Sequence, residues 1–288
     1  MSSFLQNYQR QPKLFIDLPS RGKFYDDTVL DGGQHIQIPV FGMNAMDEIM
    51  FKTPDALFSG QATAEVIKSC IPTILDPWRL VGYDIDFILI AMRIATYGEL
   101  MEVTTLCPHC STQTESRISL SRLLDGFANY ETEYSFSLDK LTFSLKPITY
   151  KETTEFSLEN YTHDREMYQL TDLDIDRDEK SKRIQEIYTA TEKVNLKLAI
   201  AHIDAISDSE DNTETDISVI TQFIVNNDAL FFAKLKDGIK ELTSKWNIPQ
   251  FEMTCSNEEC GKNYHSALDL DYSNFFGVRS LRSRNLIL

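Results

Sequence analysis

The chain has no long apolar run. The longest, Ile85 to Ala95, is broken by Asp86 and Arg93 and is too short to cross a bilayer. No signal peptide is visible either, since the opening MSSFLQNYQRQPK has no apolar core. Basic residues are few: 28 Lys and Arg against 44 Asp and Glu, a formal charge of -16. A surface of that sign repels phosphate backbones and anionic lipid, so nucleic acid and membrane are not expected partners. Catalytic signatures are missing. There is no G-x-G-x-x-G, P-loop, H-E-x-x-H or G-x-S-x-G, and the five histidines show no nucleophilic triad setting. The expectation is a protein without enzymatic activity and without a small-molecule substrate. The five cysteines, an odd number with paired-turn spacing, fit reduced thiols better than a disulfide framework.

What is present is enough for a core. Apolar residues make up 42% of 288 positions, with 17 Phe and 12 Tyr. The most informative stretch is Cys107-Pro108-His109-Cys110, with its distant partner Cys255 to Cys260. Each pair lies between short strand-like segments: Glu102–Leu106 before the first and Thr112–Leu120 after it, Gln250–Thr254 before the second and Asn263–Leu270 after it. Strand, cysteine turn, strand, repeated once, predicts a zinc ribbon. Cys107, Cys110, Cys255 and Cys260 would hold one structural Zn²⁺ in a closed four-thiolate shell with no position open for chemistry. The alternative is four reduced thiols without metal. His109 and His265 are available as substitute ligands, and Cys70, on an apolar helical face, reads as core. The 144 residues between Cys110 and Cys255 replace the roughly 15–20 of a compact ribbon, so the intervening chain would leave the ribbon and return.

Along the chain, Lys13–Leu18 and His35–Phe41 predict a small β element. Helices follow from Met43, with Thr53-Pro54 as a further start, then over Ala62–Ile71 stopped by Pro72, then over Ile85–Tyr97 with Asp84 as cap and Gly98 as stop. Met43, Met46 and Met50 read as core filler, with an adaptable binding face as the alternative. Tyr134–Leu138 and Leu141–Leu145 predict a hairpin, and Thr149 to Glu152 a capping box. Thr162–Asp178 reads as a solvated acidic loop; Asp172, Asp174 and Asp176 alternate as in a calcium loop but lack its glycine and its closing glutamate. Glu179–Ser207 predicts a long helix, Ser207–Thr215 an exposed linker, and about 216–226 and 228–246 two further helices.

The predicted fold class is therefore α+β, mainly α: a helical N-terminal domain (1–98), a split zinc ribbon (99–120 and 250–270) bracketing a hairpin plus helical insertion (121–249), and a tail (271–288) carrying Arg279, Arg282 and Arg284. Met50, Phe51, Leu57 and Phe58, large apolar side chains in short helices broken by Pro54 and Gly60, are the candidate partner-binding residues.

Four motifs carry a resemblance: Pro19-Ser20-Arg21-Gly22-Lys23-Phe24-Tyr25, Gly42-Met43-Asn44-Ala45-Met46-Asp47-Glu48, Lys52-Thr53-Pro54-Asp55-Ala56-Leu57 and Arg93-Ile94-Ala95-Thr96-Tyr97-Gly98. With these the chain resembles the T4-type bacteriophage baseplate hub proteins, which are hub subunits or hub assembly chaperones. The resemblance is clearest over residues 12–110, with little beyond Thr162. It implies a non-enzymatic role in building the baseplate's central hub, in the host cytoplasm during assembly or in the virion tail. The implied partners are other tail and hub proteins, with the tape-measure protein a further candidate. A zinc-ribbon adaptor of transcription or replication machinery is the competing function. A basic ribbon face would favour it, whereas Glu258 and Glu259 occupy one turn, with Arg117 and Lys262 the nearby cations.

Overall fold

The computed structural model describes residues 9–32, 37–53, 59–172, 175–210, 212–268, 270 and 275–276. Leu57, Phe58, Asp174, Arg279, Arg282 and Arg284 lie outside the described residues. The fold is α+β, and the chain divides into two compact units. One comprises residues 1–130 and 247–288, the other Glu131–Trp246. Both cysteine turns therefore sit in the same unit as the N-terminal helices.

In the first unit, β1 (Pro12–Ile16) pairs antiparallel with β2 (Ile38–Phe41), Ile16 opposite Ile38. Helix α1 (Ala45–Met50) opens on a capping box in which Asn44 accepts from the Met46 and Asp47 amides and Asp47 answers to the Asn44 amide. Asp47 is buried and also accepts from Ser69 Oγ at 3.0 Å, tying α1 to α2 (Gln61–Cys70). Cys70 is fully buried in the apolar face of α2. Helix α3 (Gly82–Tyr97) is apolar almost all round and buries Ile88, Leu89, Ile90 and Met92 completely. It ends at Gly98, whose φ of 92° suits glycine.

Asp84 does not cap α3. The helix begins at Gly82 after Val81, and Asp84 is buried in its first turn. Its carboxylate accepts from the Ser20 amide at 3.0 Å, from the Ser20 hydroxyl and from Tyr25 Oη at 2.6 Å. Tyr25 Oη in turn accepts from the Val81 amide at 3.0 Å. Long-range donors thus take the carboxylate away from the helix end. Met46 is not core filler either: it is 66% exposed. The buried side of α1 is supplied by Asp47 and the following Phe51.

The chain then forms β3 (Leu100–Leu106) and β4 (Gln113–Ser119), a hairpin with Leu106 opposite Gln113, and the short α4 (Leu120–Asp125).

The second unit is built on a four-stranded antiparallel sheet in the order β5 (Tyr134–Leu138), β6 (Leu141–Leu145), β7 (Ile203–Asp208), β8 (Thr213–Glu214). Phe143 stands opposite Phe136 on one side and Ile206 on the other. Between β6 and β7 run two long helices, α5 (Tyr150–Asp172) and α6 (Arg177–Ala201), linked side to side by Lys197–Glu159 at 3.3 Å. Two shorter helices follow β8: α7 (Ile217–Val225) and α8 (Ala229–Thr243), the latter burying Phe231, Leu235 and Ile239.

Three expectations change here. The acidic stretch from Thr162 is helical through Asp172, and Asp176 instead caps α6 by accepting from the Asp178 amide. Packing of α5 on α6 overrides its polar composition. The long helix stops at Ala201, because Ile203 and Ile206 turn inward as strand residues paired with β6. The segment after Ser207 is the turn between β7 and β8, where the Asp208 carboxylate accepts from the amides of Glu210 and Asn212.

Candidate metal centre

The second cysteine pair lies between β9 (Phe251–Thr254) and β10 (Asn263–Ser266), a hairpin with Thr254 opposite Asn263. It packs on the β3–β4 hairpin through Met253, Tyr264, Cys107 and Cys255, with Val103, Phe251 and Cys260 around them. Hydrogen bonds stitch the two together. Thr105 Oγ1 and Tyr264 Oη are 2.6 Å apart, and the Ser256 amide donates to Thr114 Oγ1 at 3.3 Å. Asn257 Nδ2 donates to Thr112 Oγ1 at 3.4 Å.

Each turn is closed by its own backbone. In the first, the Ser111 amide donates to the Cys107 carbonyl at 2.8 Å and the Cys107 amide to the Thr112 carbonyl at 3.0 Å. In the second, the amides of Cys260 and Gly261 both donate to the Asn257 carbonyl, at 3.0 and 2.8 Å. The wider C-x4-C spacing is absorbed by starting this turn at Asn257. The residue after each closing cysteine is left-handed: Ser111 at φ 58° and Gly261 at φ 51°.

The result is one cluster. The four sulfurs of Cys107, Cys110, Cys255 and Cys260 all lie within 4.8 Å of one another. Cys107 and Cys260 are 3.9 Å apart, Cys110 and Cys255 3.5 Å. These gaps are far above the roughly 2.05 Å of a disulfide. A tetrahedral four-thiolate zinc centre, with Zn–S near 2.3 Å, has sulfur–sulfur edges of about 3.8 Å. The donor set thus fits a thiophilic metal in size and in chemistry. Cys107 and Cys255 are buried, Cys260 is half-buried and Cys110 is exposed.

The electrostatics favour thiolate at Cys110 and oppose it at Cys255. Thr112 Oγ1 lies 3.3 Å from Cys110 Sγ, and this hydroxyl with the Thr112 backbone brings the Cys110 thiol down to about 6. At Cys255 the Asn257 backbone pulls the same way, yet burial and the neighbouring thiols push it up to about 12. Negative charge accumulates as thiols ionise one after another, and a divalent cation removes that opposition.

The histidines stay apart from this cluster. His109 and His265 are exposed and are not among its members. Arg117 is engaged across β3–β4 with Glu102 at 2.8 Å. Cys70 is remote in α2, where burial pushes its thiol up to about 12.

The other candidate residues fall differently. Phe51 is 3% exposed and stacks on Phe276 at 4.6 Å, so its ring is packed inside the unit instead of facing a partner. Met50 is half-buried. The exposed apolar side chains of α1 are Met46 and Ile49. The sequence pattern does not single out the residues that bond across the hairpins: Asn257, which donates, and Thr112 and Thr114, whose hydroxyl oxygens accept. Their only signal was polar residues clustered beside cysteines.

A model of the T4 bacteriophage base plate protein family matches residues 25–277. The chain belongs to that family. The match takes in both cysteine turns and runs through the helical region beyond Thr162, where the motif resemblance had faded. No curated protein and no solved structure matches the chain. Membership of the base plate family points to association with other baseplate proteins and to a place in the virion tail. Among the described residues no helix is long and apolar enough to cross a membrane.

Proposed function

We propose that this base plate family protein serves the central hub of the baseplate, as a building or assembly subunit that works by binding other tail proteins and catalyses no reaction. The observation that carries this reading is the outer face of α1. Met46 and Ile49 are 66% and 56% exposed on a helix whose inner side is locked down by Asp47 and Phe51. Rigid, exposed apolar side chains on a short helix are what an interface anchor needs. The partners on this reading are hub proteins, with the tape-measure protein a further candidate.

In the same reading the cysteine cluster holds one structural Zn²⁺, and the two hairpins are halves of a zinc ribbon. Residues 131–246, the second unit, lie between those halves in the chain. The metal would therefore fasten together the points where that segment leaves and returns. Four thiolates leave no coordination site for substrate, in keeping with a role in architecture.

Two measurements test the function. A tagged chain expressed during infection should copurify with baseplate proteins, and a Met46→Asp, Ile49→Asp variant that folds and retains metal should lose them. Mass spectrometry of purified particles then separates a retained component from an assembly factor. Undiminished copurification by the folded variant would place the binding surface elsewhere.

A further inference from the structure

Helix α7 is more apolar than the second unit requires. Ile220 and Ile224 are buried, but Ile217, Val219, Phe223 and Val225 are exposed, as is Leu230 just beyond; Val225 reaches 57% and Leu230 67%. A helix with this much uncovered apolar surface marks a contact site. Beside it lies a groove of about 340 Å³ with a floor of Leu141, Ile206, Val219, Ile220 and Phe223. Asp208 and Glu214 stand on its rim, and Glu210 and Asp216 are next to them in the chain. The Asn212 side chain holds the Asp208 carboxyl below its usual value, and the Ser218 hydroxyl does the same for Asp216, so both stay charged. β8, two residues long, is an edge strand of its sheet.

Such a groove calls for aliphatic side chains to cover the floor and cations to meet the rim. The chain itself contains a stretch of that composition. Residues 277–288 carry Arg279, Arg282 and Arg284, no Asp or Glu, and Val278, Leu281, Leu286, Ile287 and Leu288. In a chain with 44 acidic and 28 basic residues this sign is the exception. The stretch follows Phe275 and Phe276, both buried in the first unit. The Phe276 carbonyl accepts from Tyr97 Oη at 3.1 Å. From that anchor twelve residues reach about 40 Å when extended.

We propose that residues 278–288 of one copy occupy the groove between α7 and the β7–β8 turn of a second copy. The contact is heterologous, tail of one chain to groove of the next, so it builds a ring if it closes and a string if it does not. Aliphatic burial supplies the affinity, and the arginine–carboxylate pairs fix direction and register. This rests on the reading that the protein works through protein contacts, and it adds the chain itself as a partner.

The test is sedimentation of the full chain over a concentration series, with a chain ending at Phe276 as comparison. The full chain should associate, and added salt should weaken that association. The shortened chain should stay monomeric. A labelled peptide of residues 277–288 should bind the shortened chain, at least tenfold more weakly when Phe223→Glu or Glu210→Arg with Glu214→Arg is introduced. A peptide with its three arginines changed to Glu should fail on the unaltered groove and recover binding on the doubly substituted one. Association that persists without residues 277–288, a full chain that stays monomeric throughout, or a peptide indifferent to Phe223→Glu overturns the proposal. If truncation abolishes none of the copurification with baseplate proteins, the hub reading stands whichever way this test falls.

Discussion

Cys107 Sγ lies 3.9 Å from Cys260 Sγ although 153 positions separate them in the chain. Cys110 and Cys255 repeat the relationship at 3.5 Å. No local preference brings such pairs together. The two hairpins must first form, each closed by its own turn, and then pack through Met253, Tyr264 and Val103. Loop closure over a segment of that length costs entropy on folding, and in the proposed centre a cross-link of four ligands to one ion would offset it.

Metal content is the first consequence. Protein purified without chelator should contain about one zinc per chain, and Cys255→Ser should reduce this to near zero and lower the melting temperature. Chelation of the unaltered protein should produce the same loss of stability, because the binding free energy of a structural site is folding free energy. Atomic emission and a thermal melt with and without chelator decide it. A well-folded, metal-free protein with four titratable thiols at this cluster would falsify the centre.

Stability should also respond to the pH around Asp84. Burial raises its carboxyl to about 6, against which its hydrogen bonds from Ser20 and Tyr25 pull only partly. The folded state therefore holds this proton more tightly than the unfolded chain, whose aspartates titrate near 3.9. The stabilisation is complete below about pH 4 and is lost as pH rises through about 6, a swing on the order of 2–3 kcal/mol. Denaturant midpoints at pH 4.5 and 7 should show it as a difference between the unaltered protein and Asp84→Asn, in which this contribution disappears. Identical pH profiles for the two proteins would remove Asp84 as the cause.

Much of this architecture was legible because it is local. The cysteine turns, the hairpin around Asp139-Lys140, the capping box at Thr149 and the stop at Gly98 are each set by a few neighbouring residues, and the structure has them. What was not legible depends on partners far along the chain. Asp84 looks like a helix cap until Ser20 and Tyr25, 64 and 59 positions away, claim its oxygens. Ile203 continues a helical spacing, yet pairing with β6 makes it a strand residue. Phe51 reads from the sequence as a candidate partner-binding residue among short helices, but Phe276 covers its ring. The cysteine cluster itself sits between these cases: each turn could be seen alone, whereas their convergence could only be supposed from matching contexts.

Helix α8 approaches β5 closely at Gly238. A Cβ there would come within 2.5 Å of Phe136 Cε2, in a ring already stacked on Phe143. Alanine normally strengthens a helix over glycine by about 1 kcal/mol. Here overpacking should cost about 1–3 kcal/mol, so Gly238→Ala should be neutral to destabilising instead of stabilising. Phe136→Leu in the same chain should relieve the clash and restore the alanine's helical advantage. A double-mutant cycle on unfolding free energies would show the coupling, and additive effects would mean that the ring moves aside freely.

The last prediction concerns the two hairpins as a joint. Thr114 Oγ1 receives the Ser256 amide, and Thr105 Oγ1 meets Tyr264 Oη, so the hairpins are held by side-chain bonds as well as by the cysteines. Removing one sulfur ligand should leave each hairpin intact but loosen their packing on each other. Cys107→Ser should therefore open the chain to protease near residues 121–132 and 247–254, which flank the second unit, while the second unit itself survives as a fragment. Thr114→Val, which removes two hydrogen bonds to Ser256 of about 1 kcal/mol each and no metal ligand, should leave the digestion pattern unchanged and the zinc in place. If both variants digest like the unaltered protein, the joint does not depend on metal, and packing of Met253 and Tyr264 alone holds the hairpins together.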